Sequence, residues 1–337
     1  MFIALIISSC EQSNTDPEKL IPGGKGLFIL NEGNYLAGNG SLSFYSLDHS
    51  GIYNDLFTLK NARPLGDIPS FLAIDGNRGF IIVNNSGTIE VVDMQTIESL
   101  GTITGLNSPR QMVMHGRKGY VSSLASDVIT IINLETLTVT GTIDVGCSSE
   151  AMVITGEKLL AASWAGGDKV VVIDLLTDTV VDYVTTGLEP ESMVLDKNNN
   201  LWVLCTGGYM NEEKPRLLKI NTYDLGIEME LEFRTVYDNP SSLTINPGGD
   251  TLYFIDEGIR RMPVLMTSLP SDIMVPLNGR LFYRLAASPW NGVLCVTDAI
   301  DYQQKGDLLV YDKNGNLIDT EQAGIIPGFI RFASNDW

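Results

Sequence analysis

A six-residue phrase recurs seven times along this chain: PSFLAI at 69–74, PRQMVM at 109–114, SEAMVI at 149–154, PESMVL at 190–195, PSSLTI at 240–245, FYRLAA at 282–287 and PGFIRF at 327–332. The starts lie 40, 40, 41, 50, 42 and 45 residues apart. Between copies run short β-branched and apolar stretches separated by turn residues, so each unit reads as four short strands, A to D. Four-stranded units repeating every 40 to 50 residues describe a β-propeller. The last copy, at 327–332, has no strands after it, whereas GLFILNEG (26–33), GSLSFYSL (40–47) and IYNDLFTLK (52–60) are three strands with none before them. The two ends therefore complete one blade, and the expected fold is an all-β, seven-bladed propeller occupying residues 24–337 as one domain.

Strand direction alternates, so A–B and C–D turns share one face while B–C and D–A connections share the other. The A–B turns are short and supply Gly or Asn where a positive φ is needed, as in DGNRG (75–79) and DKNNN (196–200). The B–C loops vary far more. Four are expected to exceed seven residues: NEGNYLAGNG (31–40), TGGYMNEEKPR (206–216), DEGIRRMP (256–263) and DAIDYQQKGD (298–307). Long loops on a rigid ring are where binding residues gather. The starts of the A strands reach the same face beside the central channel, with Ser70, Arg110, Glu150, Glu191, Ser241, Tyr283 and Gly328. The candidate ligand-binding set is Asn31, Glu32, Tyr35, Asn84, Arg110, Ser123, Glu150, Trp164, Glu191, Tyr209, Glu257 and Tyr302. Flat aromatic surface beside amide and carboxylate partners suits an amphipathic small molecule or a glycan.

Several chemistries are disfavoured. The chain of 337 residues carries 41 acids against 22 bases, a formal charge of −19. Nucleic-acid binding needs a cationic face to displace counterions, so no nucleic-acid partner is expected. The two histidines, His49 and His115, fall in C–D and A–B turns, opposite the long loops. That removes a histidine metal centre, a Ser-His-Asp triad and a histidine base from the loop face. DKNNN and DKNGN imitate the start of a calcium loop but lack its glycine at position 6 and acid at position 12. No metal and no required cofactor is expected. Of the four cysteines, Cys205 and Cys295 sit in apolar strand runs and read as buried free thiols. Glu150 and Glu191 open adjacent blades, and a facing carboxylate pair would permit acid–base work; hydrogen-bond acceptors are the simpler reading.

The N-terminus reads as an export signal. Phe2 to Ile7 is apolar and is followed by Ser8, Ser9 and Cys10, which resembles a bacterial lipoprotein box with Cys10 as the lipidated residue. The basic n-region is missing and the apolar run is short, as if the start codon lay further upstream. Residues 11–23 are polar and rich in turn formers, as a tether should be, and Glu11, Asp16 and Glu18 resemble the acidic surface-export signals of some Gram-negative gut anaerobes.

The blade phrase, together with VVIDLLTDTV, IINLETLTV and EVVDMQTIES between copies, resembles the YncE-like seven-bladed propellers, often called surface-layer proteins, over roughly residues 24–337. With the lipobox and the opening GLFILNEGN, the chain is most similar to the BtuG-type surface lipoproteins that bind cobalamin. That resemblance implies a non-enzymatic, lipid-anchored protein at the outer-membrane surface that captures vitamin B12 on its long-loop face and hands it to a TonB-dependent transporter, monomeric apart from that partner. The alternative is a surface propeller for a glycan or protein without cobalamin affinity. A carboxylate-dependent hydrolase or lyase is a third reading, weakened by the lack of a usable histidine.

Overall fold

A computed structural model of the protein describes residue 21 and residues 23–334. They form seven four-stranded antiparallel sheets arranged as the blades of one propeller. Blades 1 to 6 begin at Pro69, Pro109, Ser149, Pro190, Ser241 and Phe282, and each contributes its own A to D strands in order. In blade 7 the C-terminal strand Pro327–Ser334 pairs antiparallel with Lys25–Asn31, Leu27 opposite Phe332 and Ile29 opposite Ile330. The ends of the chain therefore close the ring, as the unpaired last repeat requires. The expected signal at residues 1–10, its Cys10 anchor and nearly all of the 11–23 tether lie outside the described residues. Ile21 is an exception: it packs into the core between blades 7 and 1.

The hydrophobic core is divided among the blade junctions. Seven clusters of buried side chains lie among the described residues, one at each interface between neighbouring sheets. Strand alternation produces this arrangement, because the two faces of every inner strand meet two different blades. In blade 7, Ile29 and Ile330 face blade 6 while Phe28 and Leu30 face blade 1. Cys205 and Cys295 are buried free thiols in these layers, and burial pushes both thiols up, Cys205 to about 12. Asp196 of DKNNN accepts the backbone N–H groups of Asn198 and Asn200 and the indole N–H of Trp202, so that phrase serves a turn.

Three segments depart from the sequence expectation. The stretch 52–60, expected as a strand, pairs only over Ile52–Tyr53 and then turns into the helix Leu56–Asn61. Leu56 and Phe57 are consecutive and both buried, which a half-buried strand with alternating faces would not permit. Asn61 fastens the helix to blade 1, donating to Ile97 O and accepting from Ser99 N. The second is DEGIRRMP, expected as a long B–C loop. Asp256 and Glu257 make a tight turn, and Gly258–Pro263 is strand C of blade 5. Within that strand Arg260 is buried, with its guanidinium 3.2 Å from the Asp256 carboxylate and donating to Ser271 O at 2.8 Å. The extra chain of that blade is residues 264–274, between strand C and the two-residue strand D at Val275–Pro276. Two B–C loops exceed seven residues, at 32–40 and 206–215; the one expected at 298–307 is cut to six residues, 299–304, because Asp298 and Lys305–Asp307 extend strands B and C.

Candidate functional site

The site grows from one irregularity repeated around the ring. In every blade the pairing of strand A with strand B slips near the start of strand A, as between Pro69 and Phe71, Pro190 and Ser192, and Phe282 and Arg284. A bulge leaves one residue outside the alternating ladder and re-aims its neighbours. Consecutive residues therefore reach the same cavity: Arg110 with Gln111, Glu191 with Ser192, Gly328 with Phe329. In four blades the residue just before the strand's proline is left-handed: Ile68 (φ 58°), Ser108 (45°), Glu189 (53°) and Ile326 (52°). Each such residue costs on the order of 1 kcal/mol or more. The carbonyls of these four residues accept hydrogen bonds from Asn84 N, Leu124 N, Thr206 N and Glu32 N, at 2.8 to 3.1 Å. The strain is thus held in place by the B–C loops, and it shapes the channel mouth.

The mouth opens on a cavity of about 180 Å³ to which every blade contributes, through Ser70, Arg110, Glu150, Glu191, Ser242, Arg284 and Phe329 in turn. Glu32 and Trp164 complete its wall from the loops. Arg110 grips Glu150 in a two-pronged pair, Nε to Oε2 at 2.7 Å and Nη2 to Oε1 at 2.8 Å. Arg284 donates from Nη1 to Glu191 Oε1 at 2.8 Å and from Nε to Gly328 O at 2.9 Å. Glu191 Oε2 accepts from Ser242 N at 3.0 Å. The two carboxylates thus meet arginines on other blades, Glu150 on the neighbouring one, instead of each other. Glu32 is the third acid; its Oε1 accepts from the Tyr283 hydroxyl at 3.0 Å.

Charge in this cavity follows from burial and pairing. Burial pushes the Glu32 carboxyl above its usual range, against the pull of Arg284, the Tyr283 hydroxyl and Arg110. Burial works against the Arg284 charge, but Glu191 and then Tyr283, Glu32 and Glu150 outweigh it and raise its pKa. Arg110 is likewise raised, with Glu150 outweighing burial. Burial, then the nearby Glu32, raises the Tyr283 hydroxyl. The site keeps both guanidiniums charged and makes the Glu32 carboxylate the costly ion.

Other candidate residues are distributed unevenly. Glu32, Arg110, Glu150, Trp164 and Glu191 share the channel cavity. Tyr302 packs edge-to-face on Tyr283 with ring centroids 5.6 Å apart, and its carbonyl accepts from Asn34, tying two B–C loops together. Tyr35 and Tyr209 stand on loop tips, 69% and 87% exposed, beside Leu36 at 74% and Met210 at 73%. Asn31, Asn84 and Ser123 are buried and bonded internally: Asn31 to Ser41, Ser43 and Gly324 N, Asn84 to Ser108 and Pro109 O, Ser123 to Asn107 O. They clamp the loops in place. Glu257 pairs with Arg234 and Arg260 and is not part of the cavity wall. Arg284, Gln111, Ser192, Ser242 and Phe329 were missed from sequence. They occupy the position after the residue read as channel-facing, and only the slip in pairing brings that second position to the lumen.

Solved structures share the architecture at low identity. A periplasmic gluconolactonase of Pseudomonas aeruginosa superposes with a TM-score of 0.68 at 13% identity, covering 92% of this chain and 99% of that one. A putative 6-phosphogluconolactonase of Bacteroides fragilis gives 0.66 at 15%, covering 96% and 100%. A quinoprotein alcohol dehydrogenase-like protein of Bacteroides thetaiotaomicron gives 0.66 at 17%, covering 92% and 78%. At such identity the likeness concerns the fold alone. No curated protein matches the sequence. Residues 25–272 match the profile of a domain of unknown function, DUF5074, and over that span, most of the ring, the chain is a member of the DUF5074 family.

Proposed function

We propose that this propeller is a binding protein that captures cobalamin on its long-loop face, leaves it chemically unchanged, and passes it to a TonB-dependent transporter in the outer membrane, to which a lipid on Cys10 keeps it close. The observation that carries the reading is the contrast in scale and chemistry at the channel mouth. A cavity of about 180 Å³ admits a small group or a cluster of waters and not a whole corrin. Trp164 lines the cavity, and on loops of the same face Tyr302, Tyr35 and Tyr209 offer broad apolar surface with few rotatable bonds. A wide, flat molecule ringed by amides fits over such a mouth: its face meets the aromatic side chains, and its amides meet paired carboxylates and guanidiniums that offer both acceptors and donors. Strained, hydrogen-bonded connections hold the mouth rigid before the ligand arrives, which lowers the cost of binding.

Calorimetric titration of the protein with cyanocobalamin tests this directly. One-to-one binding at nanomolar Kd is expected. An absence of heat, together with loss of the pink vitamin on a desalting column, would leave the fold without this function. Leu36, Tyr209 and Met210 favour a second reading, because exposed apolar loop tips also suit a glycan or a protein partner. Retention on a glycan array without cobalamin affinity would support it. The gluconolactonase names of the structural neighbours suggest an enzyme; in this channel Glu150 and Glu191 are each tied to an arginine, an arrangement better suited to holding a ligand than to moving protons.

A further inference from the structure

Among the charged side chains that line the channel, three polar atoms are left open. Arg110 uses Nε and Nη2 on Glu150, and its Nη1 has no acceptor among the described residues. Arg284 uses Nη1 and Nε, and its Nη2 has none among them. Glu32 accepts from Tyr283 on Oε1, and its Oε2 accepts from no described residue. All three side chains line the same 180 Å³ cavity. None of these atoms is sealed away from solvent, so each is available to a ligand.

The charges say what kind of group belongs there. Each guanidinium already has a carboxylate, so an incoming anion would compete with Glu150 or Glu191 for it. A cation would find Glu32 Oε2 as its one open acceptor among the charged side chains, beside two guanidiniums that repel it. Hydrogen-bonding capacity is what is left over: N–H donors from two blades and a carboxylate oxygen from a third on the wall of one cavity, beside the Gln111 amide, whose side chain bonds no described residue. A neutral group presenting a carbonyl and an NH2 on one carbon satisfies both kinds at once.

We propose that the channel is a socket for one primary carboxamide arm of the ligand seated on the loop face, the arm's carbonyl accepting from Arg110 Nη1 or Arg284 Nη2 and its NH2 donating to Glu32 Oε2. The inference rests on the cobalamin reading, since the corrin periphery carries such arms. It adds that one arm is recognised unlike the rest: it enters the ring, and the others stay among the loops. A site whose buried polar groups are matched to a substrate group rejects an analogue that leaves them unpaired.

The test is calorimetry at pH 8 with cyanocobalamin and with the set of derivatives in which one peripheral amide is hydrolysed to the acid. With the wild-type protein, one derivative is expected to bind at least tenfold more weakly than the others, because its carboxylate meets Glu32. Glu32→Gln should restore that derivative selectively, since the glutamine amide can donate to a carboxylate, while the order of the other derivatives stays as it was. A merely structural Glu32 would shift all derivatives together. Equal binding of every derivative, or a weak derivative that Glu32→Gln does not restore, overturns the socket while leaving cobalamin capture standing. Failure of the wild type to bind cyanocobalamin at all overturns the proposed function and the socket with it.

Discussion

Arg110 and Glu150, on sheet residues inside the channel, are held by two hydrogen bonds of 2.7 and 2.8 Å, while on the loop tips of the same face Tyr209 is 87% exposed and Met210 73%. The channel carries paired charges and is built mainly on strands, with Glu32 and Trp164 added from loops; the rim is apolar, open and built on loops. Such a division separates two tasks. Strand-borne groups cannot adjust, so they select by geometry. Loop-borne aromatics adapt and supply contact area, which gives affinity to a ligand or a partner that the channel cannot contain.

The sharpest way to break the comparison is to unpair the channel. In Glu150→Ala the Arg110 guanidinium, whose side chain is 20% exposed against 10% for Glu150, loses its carboxylate. Removing one partner of a largely buried pair costs about 3 kcal/mol, so urea denaturation should show a fall of that order; a loss below about 1 kcal/mol would place this pair among weak surface contacts. The rim comes next. Replacing Trp164 and Tyr209 together by Ala should weaken cyanocobalamin binding more than tenfold, which is about 1.4 kcal/mol, and the two single variants divide that loss between mouth and rim. Affinity unchanged in the double variant moves the site elsewhere.

Glu32 gives a smaller, pH-dependent effect. Its carboxyl is raised in the folded protein, so between its unfolded pKa and the raised folded one the native state holds the extra proton. Stability is then lost as pH rises through that window, and the cost of ionising Glu32 is fully present above it. Glu32→Gln has no such cost, so its melting temperature should exceed that of the wild type at pH 7, and the gap should narrow towards pH 4. A gap independent of pH would mean that Glu32 ionises freely in the channel. The smallest effect belongs to Glu257→Ala, a rim acid paired with Arg234 and Arg260 away from the cavity wall: affinity for cyanocobalamin should change less than twofold by calorimetry, and a larger change would extend the site onto blade 5.

The sequence alone determined the ring. Seven copies of one phrase and the split blade at the two ends require closure, because an unpaired inner strand and three strands lacking it can satisfy their backbone groups only together. It also placed the loop face and brought Glu32, Arg110, Glu150, Trp164 and Glu191 under suspicion, since direction alternates predictably along antiparallel strands. Tertiary structure decided the rest. Whether 52–60 continues as a strand depended on Leu56 and Phe57 both finding a buried surface beside blade 1. Whether Arg260 is a loop or a strand residue depended on Asp256 and the carbonyls of 270–271 arriving to receive it. Arg284 reached the channel because a slipped hydrogen bond re-aimed the start of its strand, and it found Glu191, 93 residues earlier, because the closed ring brings both to the lumen. A period in the sequence fixes which strands pair; which side chains meet across the axis depends on bulges and distant neighbours, whose energies no local pattern encodes.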